Sequence, residues 1–227
     1  MKTYNSVLCG ALVSLSLGVF TPAHAAIDTI MGDDVIFSYE DSTLYGTGIV
    51  TGNSIFFLPT NFKAESLNGE GIISAQETLN IQITVKEGSS FTMSGVNLIE
   101  SGDYLLNGDN AAVTVDGRLI ATSLTKNDGG NPALPLRASD AIETGTPLNV
   151  NNNTLVDWEA DAEIDFATIA GWGDDTDIIA TIENDLSAST SEIGERAFIE
   201  KKFGLVGVTV VPIPGAVWLM GSALLGL

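Results

Sequence analysis

An antiparallel β-sandwich of jelly-roll type is the architecture predicted for the central part of this chain, residues 26–209. Three observations carry that reading. Apolar residues recur at every second position in many short runs, which is the period of a half-buried strand. Turn-forming pairs interrupt those runs at hairpin spacing: Asn68-Gly69, Glu87-Gly88, Asn107-Gly108, Asp116-Gly117 and Gly173-Asp174. No window of ten or more residues sustains a helical period without Gly or Pro, the nearest approaches being 64–78 and 187–202. A parallel β-helix is the alternative, but no fixed-period repeat is visible.

Taken in order, the predicted strands begin with Asp34-Val-Ile-Phe-Ser-Tyr-Glu40, Ser54-Ile-Phe-Phe-Leu58 and Leu79-Asn-Ile-Gln-Ile-Thr-Val-Lys86. Two short runs follow at 91–94 and 96–99. Next come Ala111-Ala-Val-Thr-Val115 and Arg118-Leu-Ile-Ala-Thr-Ser-Leu124, separated by Asp116-Gly117. Gly tolerates the positive φ of a type I′ turn, so this pair predicts the cleanest hairpin of the chain. Residues 125–153 hold Pro132, Pro135, Pro147 and an Asn151-Asn-Asn153 run, and read as one irregular loop crossing between sheets. Strands resume at 154–158, 162–166, 177–182 and 197–211.

The two ends follow different rules. Lys2, the apolar stretch Val7 to Phe20 and the small-residue site Ala23-His24-Ala25 stand in the order of a secretory signal, which places cleavage before Ala26. Without a twin-arginine pair, the general secretion route is the default. At the other end, Val211-Pro-Ile-Pro-Gly215 leads into the apolar run that closes the chain. The prolines keep the backbone extended and delay any helix, and Trp218 suits a membrane interface. Thirteen residues, Gly215 to Leu227, follow Pro214 and would span ~20 Å as a helix. A bilayer core is ~30 Å thick. Either the apolar segment continues past Leu227 or the anchor is degenerate, and the first is the expectation.

Segment 210–227 resembles the PEP-CTERM class of C-terminal sorting signals, and in particular its VPLPA-CTERM variant, found on exosortase-processed surface proteins of Gram-negative bacteria. The Pro212-Ile213-Pro214 spacing, Trp218, Gly221-Ser222 and Leu224-Leu225-Gly226 carry the resemblance. Ile213 replaces the Glu of the better-known signal, and Gly215 the Ala of the variant. The resemblance implies an exosortase-like sorting enzyme as partner, transient membrane attachment through the C-terminal segment, and a surface or extracellular destination. More loosely, the stretch Ala197-Phe-Ile-Glu-Lys-Lys-Phe203 is similar to β-rich ectodomains placed before such signals.

Composition narrows the chemistry further. Residues 1–25 contain the sole Cys and the sole His, so a mature chain has neither. Zinc sites of the usual N/S type, disulfides, and nucleophile systems built on His are thereby excluded. After that cleavage, eight Lys/Arg oppose twenty-nine Asp/Glu. Such a surface repels nucleic acid and anionic headgroups, and favours solubility and divalent cations.

Three constellations remain as candidate sites. Trp172-Gly-Asp-Asp-Thr-Asp177 offers Asp174, Asp175 and Asp177 as oxygen donors for Ca²⁺, although it lacks the glycine of an EF-hand loop. The competing reading is a solvated acidic turn. Asp157 to Asp165 alternates acids with apolar or small residues, placing its carboxylates on one strand face. That face is either a glycosidase-like acid pair or the charged outside of an edge strand, and the latter is the expectation. Trp158 and Trp172 are candidates for stacking on sugar rings, with core packing as the competing role. The functional expectation is an exported, non-enzymatic structural or adhesive protein of exopolysaccharide or biofilm. The alternatives are a secreted carbohydrate- or calcium-binding module and a secreted glycoside hydrolase.

Overall fold

The computed structural model describes residues 27–89 and 91–212. The predicted signal segment with Ala23, Ala25 and Ala26, and Ile213, Pro214 and Trp218 of the predicted sorting segment and its apolar helix, lie outside the described residues. Among those described, no helix is long and apolar enough to cross a membrane.

Strand follows strand along the described chain. They are β1 (Ile27–Met31), β2 (Val35–Glu40), β3 (Ile49–Thr51), β4 (Ser54–Phe57), β5 (Lys63–Leu67), β6 (Gly71–Val85) and β7 (Phe91–Asn107). After these come β8 (Ala112–Asp128), β9 (Asn131–Ala141), β10 (Glu143–Thr144), β11 (Val156–Asp165), β12 (Asp177–Thr190) and β13 (Arg196–Pro212). A single 3-10 turn, Phe166–Thr168, follows β11. The fold is all-β and forms two sheets with antiparallel pairing throughout. One sheet runs β1-β2-β6-β12-β8-β9, and the other β10-β11-β7-β13-β4-β3, with β5 also paired to β13.

Long strands take turns between the sheets: β6, β7 and β8 alternate, as do β11, β12 and β13. Asn68-Gly69, Glu87-Gly88 and Asn107-Gly108 are therefore turns, but each joins strands of opposite sheets. Asn68 and Gly69 both adopt positive φ, 53° and 82°, and the Glu70 amide closes the turn onto the Leu67 carbonyl at 3.1 Å. This is the backbone that an Asn-Gly pair favours.

Two expectations are corrected. Asp116-Gly117 is not a hairpin turn, because β8 runs straight through it, with Asp116 opposite Asp185 and Gly117 opposite Asn184. Gly117 has φ 148°, and a Cβ there would lie 2.1 Å from the Glu183 carbonyl oxygen. Glycine serves close strand approach at this position. The stretch 125–153 is not a single irregular loop either, since β9 and β10 lie within it. Pro132 and Pro135 suggested a loop, yet β9 is the edge of its sheet, the place in a sheet where proline is tolerated.

The core lies between the sheets. Phe37, Ile81, Leu119 and Ile182 from one meet Phe57, Leu98, Ile199 and Val206 from the other, all buried. A string of edge-to-face ring contacts crosses it: Tyr39–Phe57 at 5.5 Å, Phe57–Tyr45 at 5.7 Å and Tyr45–Phe62 at 5.3 Å. Such pairs add roughly 0.5–1.5 kcal/mol each beyond their buried area. At the end of that string sits the polar cluster described next.

Candidate functional site

The inward phase of three strands carries charge or amide where apolar residues would be expected. On β7 the buried positions Val96 and Leu98 are followed by Glu100, and on β13 Ala197 and Ile199 are followed by Lys201. On β12 Asn184 falls between the buried Ile182 and Leu186. Glu100 and Lys201 are 0% and 1% exposed, and Asn184 is 4% exposed. Strand geometry brings the three together, because β7 and β13 are neighbours in one sheet and β12 faces them from the other.

Glu100 is the hub. Its Oε1 accepts from Lys201 Nζ at 2.5 Å and from the Tyr45 hydroxyl at 3.3 Å, while Oε2 accepts from Asn184 Nδ2 at 2.6 Å. Lys201 Nζ also donates to the Tyr45 hydroxyl at 3.2 Å and lies 4.9 Å and 4.7 Å from the ring centroids of Tyr45 and Phe62. Burial pushes the Lys201 amine down to about 8, against the opposing pull of the Glu100 charge. The Tyr45 hydroxyl is raised well above its ordinary range, first by burial and then by Glu100. Asn184 Oδ1 is buried and accepts no hydrogen bond among the described residues. The cluster thus holds an amine and a carboxamide against one carboxyl, all three buried.

A bulge makes room for it. β13 gains one residue against β7 between Lys201 and Phe203, which resets the strand so that Gly204 and Val206 point inward in turn. Lys202, the extra residue, faces out and bonds Asp103 and Glu200, which raise its amine. Beside the bulge, the Trp158 indole N–H donates to the Glu200 carbonyl at 3.1 Å, across the Gly102 backbone. A Cβ on Gly102 would lie 1.9 Å from that same carbonyl.

Trp158 is accordingly 1% exposed and Trp172 0%, so neither ring presents a face to a sugar, and the stacking expectation is corrected. Trp172 stacks on Phe166 at 4.5 Å, against the 3-10 turn. The calcium expectation is corrected as well. Asp175 turns inward to accept from the Thr125 hydroxyl at 2.6 Å and from the Asp177 amide at 3.2 Å. Asp177 is occupied by Gln82 Nε2 and by the Thr84 hydroxyl, and the exposed Asp174 sits at φ 58°. The three carboxylates diverge. Among the described residues, no group of three or more His, Cys, Asp or Glu is placed to hold a metal.

On β11, Asp157, Glu159, Asp161, Glu163 and Asp165 all point to solvent while Trp158, Ala160, Ala162 and Ile164 are buried. Glu159 to Glu163 border a shallow groove with Asn97, Leu98 and Ile99. Among the described residues, only the two-residue β10 pairs with the far side of this strand. Val211 and Pro212, from the predicted processing motif, are the last residues of β13, opposite Thr92 and Phe91.

Sequence reading missed the Glu100 cluster. The signal was present, as polar residues in the apolar phase of alternating runs, but no local spacing joins positions 100, 184 and 201. Only the strand order does. No protein-family model matches the chain, and no curated protein matches it.

Proposed function

We propose that this chain is an exported surface or extracellular-matrix protein, processed at both ends, with a structural or adhesive role in exopolysaccharide or biofilm. The observation that carries the reading is the tail: Val211-Pro-Ile-Pro214 begins in the last two residues of β13 and leads, in the sequence, into an apolar run. A sorting segment so placed is held near the bilayer by its apolar part, and its prolines keep the motif extended for an exosortase-like enzyme. The acidic exterior and the deep core suit a soluble ectodomain outside the cell. The alternation of β6 to β8 and β11 to β13 between sheets supports a jelly-roll-like sandwich as its architecture.

Terminal peptide sequencing of the protein from cell-surface and culture fractions tests the proposal. The expected product begins at Ala26 and has lost the residues after Pro214. A Pro212→Ala/Pro214→Ala variant should accumulate with its tail attached. Recovery of the native protein from the cytosol, uncut at both ends, would overturn it.

A further inference from the structure

We propose that Lys201 and Asn184 become joined by a side-chain amide bond, formed by the folded protein itself with Glu100 as the catalytic carboxyl. Three groups are arranged for it. Lys201 Nζ and Asn184 Nδ2 are bonded to the two oxygens of one carboxylate, at 2.5 and 2.6 Å, so amine and carboxamide are both held against the same carboxyl group. All three residues are buried, and the rings of Tyr45 and Phe62 pack about the amine at 4.9 and 4.7 Å. Holding both reactants on one carboxyl group in a dry site replaces a slow encounter by a positioned one. A buried ammonium is poorly solvated, which favours the neutral, nucleophilic amine and agrees with the depressed Lys201 pKa of about 8.

The step balances without a cofactor. Lys201 passes a proton to Glu100, and the free amine attacks the Asn184 Cγ. Rotation of the amide brings Oδ1, which has no partner among the described residues, to the protonated Glu100, and this hydrogen bond stabilises the developing oxyanion. The tetrahedral adduct then breaks its bond to Nδ2, which takes protons from the former amine by way of Glu100 and departs as ammonium. The ammonium and the carboxamide have become a secondary amide and ammonium. The bond ties β12 of one sheet to β13 of the other, in a chain whose mature part has no cysteine for a disulfide.

Intact mass and tryptic mapping of the full chain, unfolded after purification, test this. The wild type should weigh one ammonia less than its sequence. Trypsin should fail to cut after Lys201, and a branched peptide should join the segments holding Asn184 and Lys201. Mapping separates this loss from trimming at either end. Glu100→Gln and Asn184→Ala should each restore the full mass and abolish the branched peptide. If either variant does not fold, the wild-type mass and map still decide. An unbranched wild type of full mass, a branch at a residue other than Asn184, or a cross-link that persists in Glu100→Gln would overturn the proposal.

Discussion

Two regions of this molecule are rich in carboxylates and treat them in opposite ways. On β11 five acids stand in a row in solvent, the last of them, Asp165, also accepting from the Ala167 amide at 2.9 Å. In the core one acid, Glu100, gathers a lysine, a tyrosine and an asparagine around itself. Acid count is therefore no guide to where chemistry resides. A carboxylate in water is cheap, whereas one in the core costs several kcal/mol of desolvation unless its lone pairs are met. A third arrangement lies between them. Glu195, 6% exposed, is satisfied by main-chain amides, those of Asn110, Ser191 and Glu192 at 2.8, 2.9 and 3.0 Å.

The comparison is sharpest when a partner is removed. Lys201→Met strips Glu100 of its buried amine partner and removes the proposed link between the sheets, and is expected to cost about 3–5 kcal/mol in urea unfolding. A loss below ~1 kcal/mol would mean that the cluster is not a structural tie. Trp158→Phe keeps most of the packing but leaves the part-buried Glu200 carbonyl without its indole donor, and should cost about 1 kcal/mol by the same measurement.

Glu195 gives the contrast a pH dependence. The Asn110, Ser191 and Glu192 amides hold its carboxyl below the ordinary value of 4.5. The folded state thus binds this proton less readily than the unfolded chain. Its stabilisation is complete above pH 4.5 and drains away as pH falls through the lower folded value. Glu195→Gln should melt earlier than wild type at neutral pH and show a shallower fall in melting temperature on acidification. Parallel curves would refute the assignment.

At the exposed extreme, Glu183→Gln breaks the 2.5 Å contact with Arg118, whose side chain is 56% exposed, and should change stability by ~0.5 kcal/mol or less. Glu159→Gln and Glu163→Gln on β11 should be smaller still, within the scatter of surface substitutions. A larger loss there would show that the outer row does more than face water.

Much of the fold was legible in the sequence, because period-two alternation is a local property. Runs at 34–40, 54–58 and 177–182 correspond to β2, β4 and the start of β12. Runs that looked separate, such as 111–115 and 118–124, proved to be one strand, since glycine at 117 signals close approach as readily as a turn. Edge strand β9 was hidden by its own prolines. The acid face of β11 was readable from spacing, but the direction of the Asp175 carboxylate was not, because Thr125 lies fifty residues away. Glu100, Asn184 and Lys201 sat in the inward phase in plain view, yet their convergence depends on which strands neighbour and face one another. Local sequence does not encode that.

What joins positions 184 and 201 decides most directly whether the core cluster is reactive. Fragment sequencing of the branched tryptic peptide by tandem mass spectrometry should place an amide between Lys201 Nζ and Asn184 Cγ. Release of the two segments as ordinary linear peptides, with Asn184 intact and Lys201 cleaved, would contradict it.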